Sequence, residues 1–487
     1  MTKRRAAAIV AIAIATGAGV RAAPDTLTVT VPTFGTVTIY QPDASPQQVV
    51  LFLSGDGGWN LGVIGMAERL RRAGALVVGI DTRAFVKSLE SSGACAYPAG
   101  ALEDLSRAVQ VRLKLPHYLR PIVVGYSSGA TLAYAAIAAA PPETFAGAMS
   151  LGFCPRLELR ASPCAMRGLR ATRPPKGKAP VVGYDLAPFR DSAVPWMVLQ
   201  GEADQVCTPD ATRTFVAGTG AARLFSLPRV GHGFGVTANW EPQFLEAYNA
   251  ITTARRPDEP SPVAIPAVAD LSLVELPATH GGPAGTSDVM AVLLTGDGGW
   301  AEIDRSLAAG LGAQGIPVVG WSSLTYYWTP RTPGGAAADL QRIIEHYTTA
   351  WRRPRVLIVG YSFGADVAPF LVNRLPEAVR SRVAAMTLLG PAATASFEFH
   401  VTNWLVASGD ARYPVRAEVE RSTTPVTCVS GTDEPDSVCR GITAPHVRLA
   451  SVGRGHHFSG EYGQLVDLIL RPAASNRPGE IRVHRAR

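Results

Sequence analysis

Along the chain, short apolar runs alternate with stretches whose apolar residues recur at helical spacing. Thr26–Val31 and Val37–Tyr40 alternate polar and apolar positions, which predicts antiparallel edge strands. Val49–Leu53 is apolar throughout, as a strand covered on both faces requires. A helical pattern over 61–73 follows, then a second apolar run at Leu76–Ile80 and a helix around 99–115. Further strands are expected at 121–124, 145–151, 195–200 and 223–227, with a Pro- and Arg-rich excursion over 155–180. This alternation predicts an α/β fold with a doubly wound, mostly parallel sheet.

The order then restarts. Val289–Leu294, Ile316–Gly320, Arg355–Val359 and Pro425–Ser430 repeat the earlier strands. Gly55-Asp56-Gly57-Gly58-Trp59 recurs as Gly296-Asp297-Gly298-Gly299-Trp300. The offset between copies shrinks steadily toward the C-terminus, as expected of a tandem duplication whose second copy has shorter loops. The expected organisation is a leader at 1–22, one domain over 23–254 and a Pro- and charge-rich linker at 255–266. A second domain over 267–474 and a basic tail at 475–487 complete it.

Composition narrows the class. The chain has 487 residues, 47% hydrophobic and 17% charged, which suits a folded protein of two or three domains. Its net charge of +7 is concentrated at the ends, in Lys3-Arg4-Arg5 and in Arg477, Arg482, Arg485 and Arg487. With no long basic run inside, nucleic acid is not an expected partner; an anionic lipid surface is. Lys3-Arg4-Arg5, the small and apolar Ala6–Val20 and a small-residue cleavage site near Ala22 read as a cleavable export signal, with an uncleaved anchor as the alternative. No cysteine follows to carry a lipid. In a bacterium the destination would be the periplasm.

Six cysteines agree with an oxidising compartment. Cys428 and Cys439 are expected to pair within the second half. Cys95, Cys154, Cys164 and Cys207 allow three pairings, of which loop proximity favours Cys154–Cys164 with Cys95–Cys207. No Cys or His spacing suits zinc, so neither a metal nor another cofactor is expected.

The chemistry is expected where two of the strands end. Gly125-Tyr126-Ser127-Ser128-Gly129 and Gly360-Tyr361-Ser362-Phe363-Gly364 each join an apolar strand to a helical segment, the pattern of a nucleophile elbow. A serine needs a base, and the base a carboxylate to orient it. Both halves supply them in the order serine, aspartate, histidine. In the first half these are Ser127, Asp204 and His232. In the second they are Ser362, Asp436 and His456, the aspartate chosen by aligning the Val-Cys endings and the histidine by aligning Gly-His-x-Phe. Asp433 and His457 are the alternatives. Gly296, Asp297 and Gly298 form the expected oxyanion and substrate loop, with the backbone N–H of Phe363 (Ser128 in the first half) as the other donor.

The halves differ in two places. Asp366 stands one helical turn past Ser362, where the first half has Thr131. The second half carries the aromatic run Trp321–Pro333 where the first has Asp81–Phe85, and its Tyr327 and Trp328 are expected to hold an ammonium group beside Asp366.

Thr295–Trp300, Ser323–Pro333 and Gly360–Val367 together resemble the AcvB/VirJ family of bacterial virulence proteins, and the whole chain looks like its longer, duplicated members. The resemblance implies a periplasmic α/β-hydrolase that releases lysine from lysyl-phosphatidylglycerol, with Ser362, Asp436 and His456 as its triad. It implies aminoacylated phospholipid as substrate and secretion-system proteins as partners. A non-catalytic accessory of type IV secretion and a lipase or general esterase are the other readings.

Overall fold

The computed structural model describes residues 26–471 apart from 92–94, 142, 165, 167, 176–181, 255–264, 280–285, 400–412, 435 and 436. The expected leader, most of the linker and the basic tail therefore lie outside the described residues. Two large sheets organise the rest. The first runs in spatial order Thr26–Val31, Gly35–Tyr40, Ala75–Ile80, Gln48–Leu53, Ile122–Tyr126, Gly147–Leu151, Trp196–Gly201, Ala222–Leu227. Its first two strands pair antiparallel, and the rest are parallel to one another. The second sheet repeats the plan as Leu273–Leu276, Val318–Trp321, Val289–Leu294, Arg355–Tyr361, Val383–Leu389, Val426–Ser430, Val447–Ser451. Only its Leu273–Leu276 edge is antiparallel. The chain is a tandem duplication of an α/β-hydrolase domain.

The apolar runs become central strands because helices cover both their faces. Val49 to Leu53 are fully buried, and each sheet separates two apolar clusters. Sequence patterning missed the central strand Val383–Leu389, the edge strands Leu273–Leu276 and Val447–Ser451 and the helix Thr82–Ser91. The 155–180 excursion contributes two strands of a small sheet in which Arg156–Leu157, Tyr184–Ala187 and Arg170–Thr172 lie side by side.

The repeated Gly-Asp-Gly-Gly-Trp loop has a packing reason. Trp59 lies so close on Gly79 of the neighbouring strand that any side chain there would collide with its ring; Trp300 and Gly320 repeat the contact. The tryptophan thus staples the loop across the strand ends.

Three disulfides are present. Cys428–Cys439 forms as expected. The first-half pairing differs: Cys154 bonds Cys207 and Cys95 bonds Cys164. Loop proximity failed because parallel strands bring distant segments together. Leu151 sits opposite Leu199, so the segments leaving those two strands emerge side by side and carry Cys154 and Cys207 to 4.9 Å. Cys95 and Cys164 meet where Ala96 exchanges backbone hydrogen bonds with Ser162 and Cys164.

Candidate active site

Each elbow is a strained strand-to-helix turn. Ser127 has φ 56° and ψ −121°, and Ser362 φ 51° and ψ −118°. That region is costly for a residue with a side chain and persists only where its surroundings enforce it. The flanking glycines make the turn: a Cβ at Gly125 or Gly360 would strike the carbonyl of Gly129 or Gly364, and one at Gly129 or Gly364 would strike the strand beside it. Both serines stand immediately before a helix, Ser128–Ala139 or Phe363–Asn373, whose first backbone N–H groups have no partner within the helix.

In the second half, Ser362 Oγ lies 2.8 Å from His456 Nε2. His456 Nδ1 lies 2.9 Å from Glu434 Oε1, and the other oxygen of Glu434 accepts the Gly431 N–H at 2.7 Å. The acid on the imidazole is therefore Glu434, which the sequence reading did not name. Asp436, the expected residue, lies outside the described residues. Asp433 turns instead to the backbone N–H of Gly455 and to Arg454, and these hold its carboxyl below the usual range. His457 faces the Tyr361 hydroxyl at 3.0 Å; burial, and then the charge of His456, lower its pKa.

A signal for Glu434 existed. Counted from the glycine that ends each strand, Asp204 is three past Gly201 and Glu434 three past Gly431. The Val-Cys endings misled because the two cysteines play different parts: Cys207 bridges to another strand end, whereas Cys439 folds back from its loop onto Cys428 of the strand that leads into it.

The first half brings its three predicted residues together. Ser127 Oγ is 2.9 Å from His232 Nε2, and His232 Nδ1 is 2.8 Å from Asp204 Oδ2. The other Asp204 oxygen accepts the N–H groups of Val206 and Cys207, and Gln200 donates to Oδ2. Asp204, Cys207 and His232 lie within 4.8 Å of one another, but Cys207 is in a disulfide and the other two are bonded to each other. That chemistry does not suit a metal.

Beside each serine sits the glycine loop. A Cβ at Gly55 would lie 3.1 Å from that of Ser127, and one at Gly296 3.5 Å from that of Ser362. Both loops turn in the same way, with Gly58 at φ 78° and Gly299 at φ 74°. Asp297 and Gly298 are exposed at the loop's tip.

Asp366 is at the start of the elbow helix, where Oδ1 accepts the Ala392 N–H at 2.6 Å. Burial pushes its carboxyl up to about 8, and the nearby charge of Asp297 adds to the shift. Tyr327 and Trp328 do not form the expected open ring pair. Tyr327 is 1% exposed and packs among Tyr326, Phe363 and Phe397. Trp328 donates its indole N–H to Leu115 O of the first half at 2.8 Å and packs on Tyr118 and Phe399. Aromatic neighbours occupy these rings, so they serve packing and the joint between the halves.

The chain matches the family model described as bacterial virulence protein (VirJ) over residues 47–152 and 288–477. Among curated proteins, none matches it. Solved structures that resemble it include a dienelactone hydrolase from Anabaena variabilis, at 18% identity and a TM-score of 0.33, covering 48% of this chain and 99% of its own. An α/β serine hydrolase without a lid from Xanthomonas campestris is 22% identical with a TM-score of 0.28, over 47% of this chain and 93% of its own. An esterase domain of a Rhodothermus marinus protein is 14% identical with a TM-score of 0.32, over 47% and 97%.

Proposed function

Since the chain belongs to the VirJ family of bacterial virulence proteins, matched over more than half its length, we propose that its second half is a serine hydrolase for the aminoacyl ester of lysyl-phosphatidylglycerol. The observation that carries this reading is the relay from Ser362 through His456 to Glu434, at 2.8 and 2.9 Å, on a strained elbow.

His456 Nε2 takes the Ser362 proton as the hydroxyl attacks the lysyl carbonyl, and Glu434 stabilises the imidazolium that results. Backbone N–H groups at Phe363 and in the Gly296–Gly299 loop receive the oxyanion, a contribution of about 10²–10³ in rate for each donor. His456 then protonates the leaving glycerol oxygen, which departs as the hydroxyl of phosphatidylglycerol, and water releases lysine by the same path. Asp366 and Asp297 suit the substrate's ammonium groups. A cation arriving beside Asp366 favours its ionised form and so offsets the burial that keeps it protonated when the site is empty.

Three disulfides fit an oxidising compartment, and the charged, small-apolar start of the chain supports export to the periplasm. Among the described residues no helix is long and apolar enough to cross a membrane. The test is product identity. Vesicles containing lysyl-phosphatidylglycerol should yield free lysine and phosphatidylglycerol; fatty acid and a lysophospholipid would replace this reading with a lipase.

A further inference from the structure

The first half holds a constellation that the proposed lysyl-ester reaction leaves unused. Its geometry matches the second at every step: the elbow dihedrals, the serine–histidine contact, the histidine–carboxylate contact and the glycine loop. It is also the better enclosed of the two. The Asp204 side chain is 0% exposed and that of His232 18%, against 20% for Glu434 and 43% for His456. The Cys154–Cys207 disulfide ties the Asp204 loop to the segment after Gly152, and a Cβ at Gly152 would touch the His232 ring. Tyr126 braces the histidine loop by donating to His232 O at 2.9 Å. A costly backbone conformation is thus kept at Ser127, with base and acid in reach, although no packing role requires its hydroxyl there.

From this we infer that Ser127, His232 and Asp204 form a second, independent hydrolytic centre, acting on acyl esters that carry no ammonium group.

The substrate class follows from what surrounds each serine. Asp56 and Asp297 are common to both loops, so the difference lies elsewhere. Where the second half has Asp366, the first has Thr131, 2% exposed, whose hydroxyl donates to Cys154 O at 2.7 Å. Where the second half sets Leu324 and Ser322 against Gly299, the first sets Arg83 and Asp81 against Gly58. That guanidinium is bonded to Asp81 at 2.8 Å and leaves no net charge there. A cationic ester would lose water at this centre without gaining the carboxyl that the other centre holds on its elbow helix.

The reaction balances without a further reactant. Ser127 Oγ bonds to the acyl carbon and its proton passes to His232 Nε2, which delivers it to the departing alkoxide. Water then attacks the acyl-serine, gives its proton to His232 and frees the carboxylic acid, and the proton returns to Ser127.

Full-length protein with its disulfides intact should be treated with an uncharged fluorophosphonate and its adducts counted by intact mass. Wild type should carry two adducts, S127A and S362A one each, and the double variant none. With S362A, p-nitrophenyl butyrate should still be cleaved, at a kcat/KM at least 100-fold above that for a lysine ester. That activity should fall at least 100-fold when Asp204→Asn is added, a change that keeps the shape of the acid should S127A fold poorly. A single adduct on wild type, butyrate cleavage in S362A no faster than in the double variant, or equal cleavage of both esters by S362A would overturn the inference.

Discussion

At the scale of single residues, the acid on His456 decides how the second centre works. A Glu434→Gln substitution keeps the shape but cannot stabilise the imidazolium, so kcat should fall by about 10³–10⁴. Asp436→Asn, the change suggested by the sequence alignment, should cost less than about 10-fold. Steady-state kinetics on one lysine ester decide between them. Asp366 gives a pH signature. Its carboxyl titrates near 8 in the fold and about 3.9 when unfolded, so the native state binds the proton more tightly and stability falls as pH rises from about 4 to 8. Asp366→Asn should therefore raise Tm relative to wild type by a margin that grows across that window, measured by thermal unfolding at several pH values. The same ionisation should make wild type's preference for cationic over neutral esters rise as pH passes from 6 to 8, a rise the variant loses. Serines and histidines were legible in the sequence because chain order and flanking glycines identify them. Glu434 was harder to read, since its only signal is the three-residue spacing from Gly431 that it shares with Asp204 and Gly201, and the Val-Cys endings pointed elsewhere.

At the scale of elements, most central strands were readable because each is buried on two faces and must be apolar, although Val383–Leu389 was passed over. Edges were harder: Val447–Ser451 is partly exposed, and Leu273–Leu276 is short. The disulfides show the same limit, because parallel pairing set the partners of Cys154 and Cys95 and chain distance did not. The Cys154–Cys207 bridge closes a span of 53 residues, which in the chain-entropy account stabilises the fold by about 4 kcal/mol at most. Breaking it by a Cys154→Ser, Cys207→Ser double change should lower Tm. It should also slow neutral ester cleavage at the Ser127 centre more than lysine ester cleavage at Ser362, because the bridge braces the loop that carries Asp204.

At the scale of the whole molecule, duplication left two similar sites joined through a specific contact. Trp328 reaches across to Leu115 O, Arg107 stacks over Phe399, and Arg305 pairs with Glu143. The aromatic run read from sequence as a ligand cradle is thus core packing of the second half at Trp321, Tyr326 and Tyr327 and an anchor between the halves at Trp328, and nothing in the run itself distinguishes those uses. Trp328→Ala removes a buried ring and leaves Leu115 O unpaired, so a loss of about 3–5 kcal/mol is expected. Calorimetry should show one transition in wild type and two after that change. The central claim concerns Ser362, and its most direct test is the rate at which purified full-length protein frees lysine from lysyl-phosphatidylglycerol vesicles. Ser362→Ala should reduce that rate by at least about 10³ while the protein stays folded; lysine release at the wild-type rate from the folded variant would contradict the account.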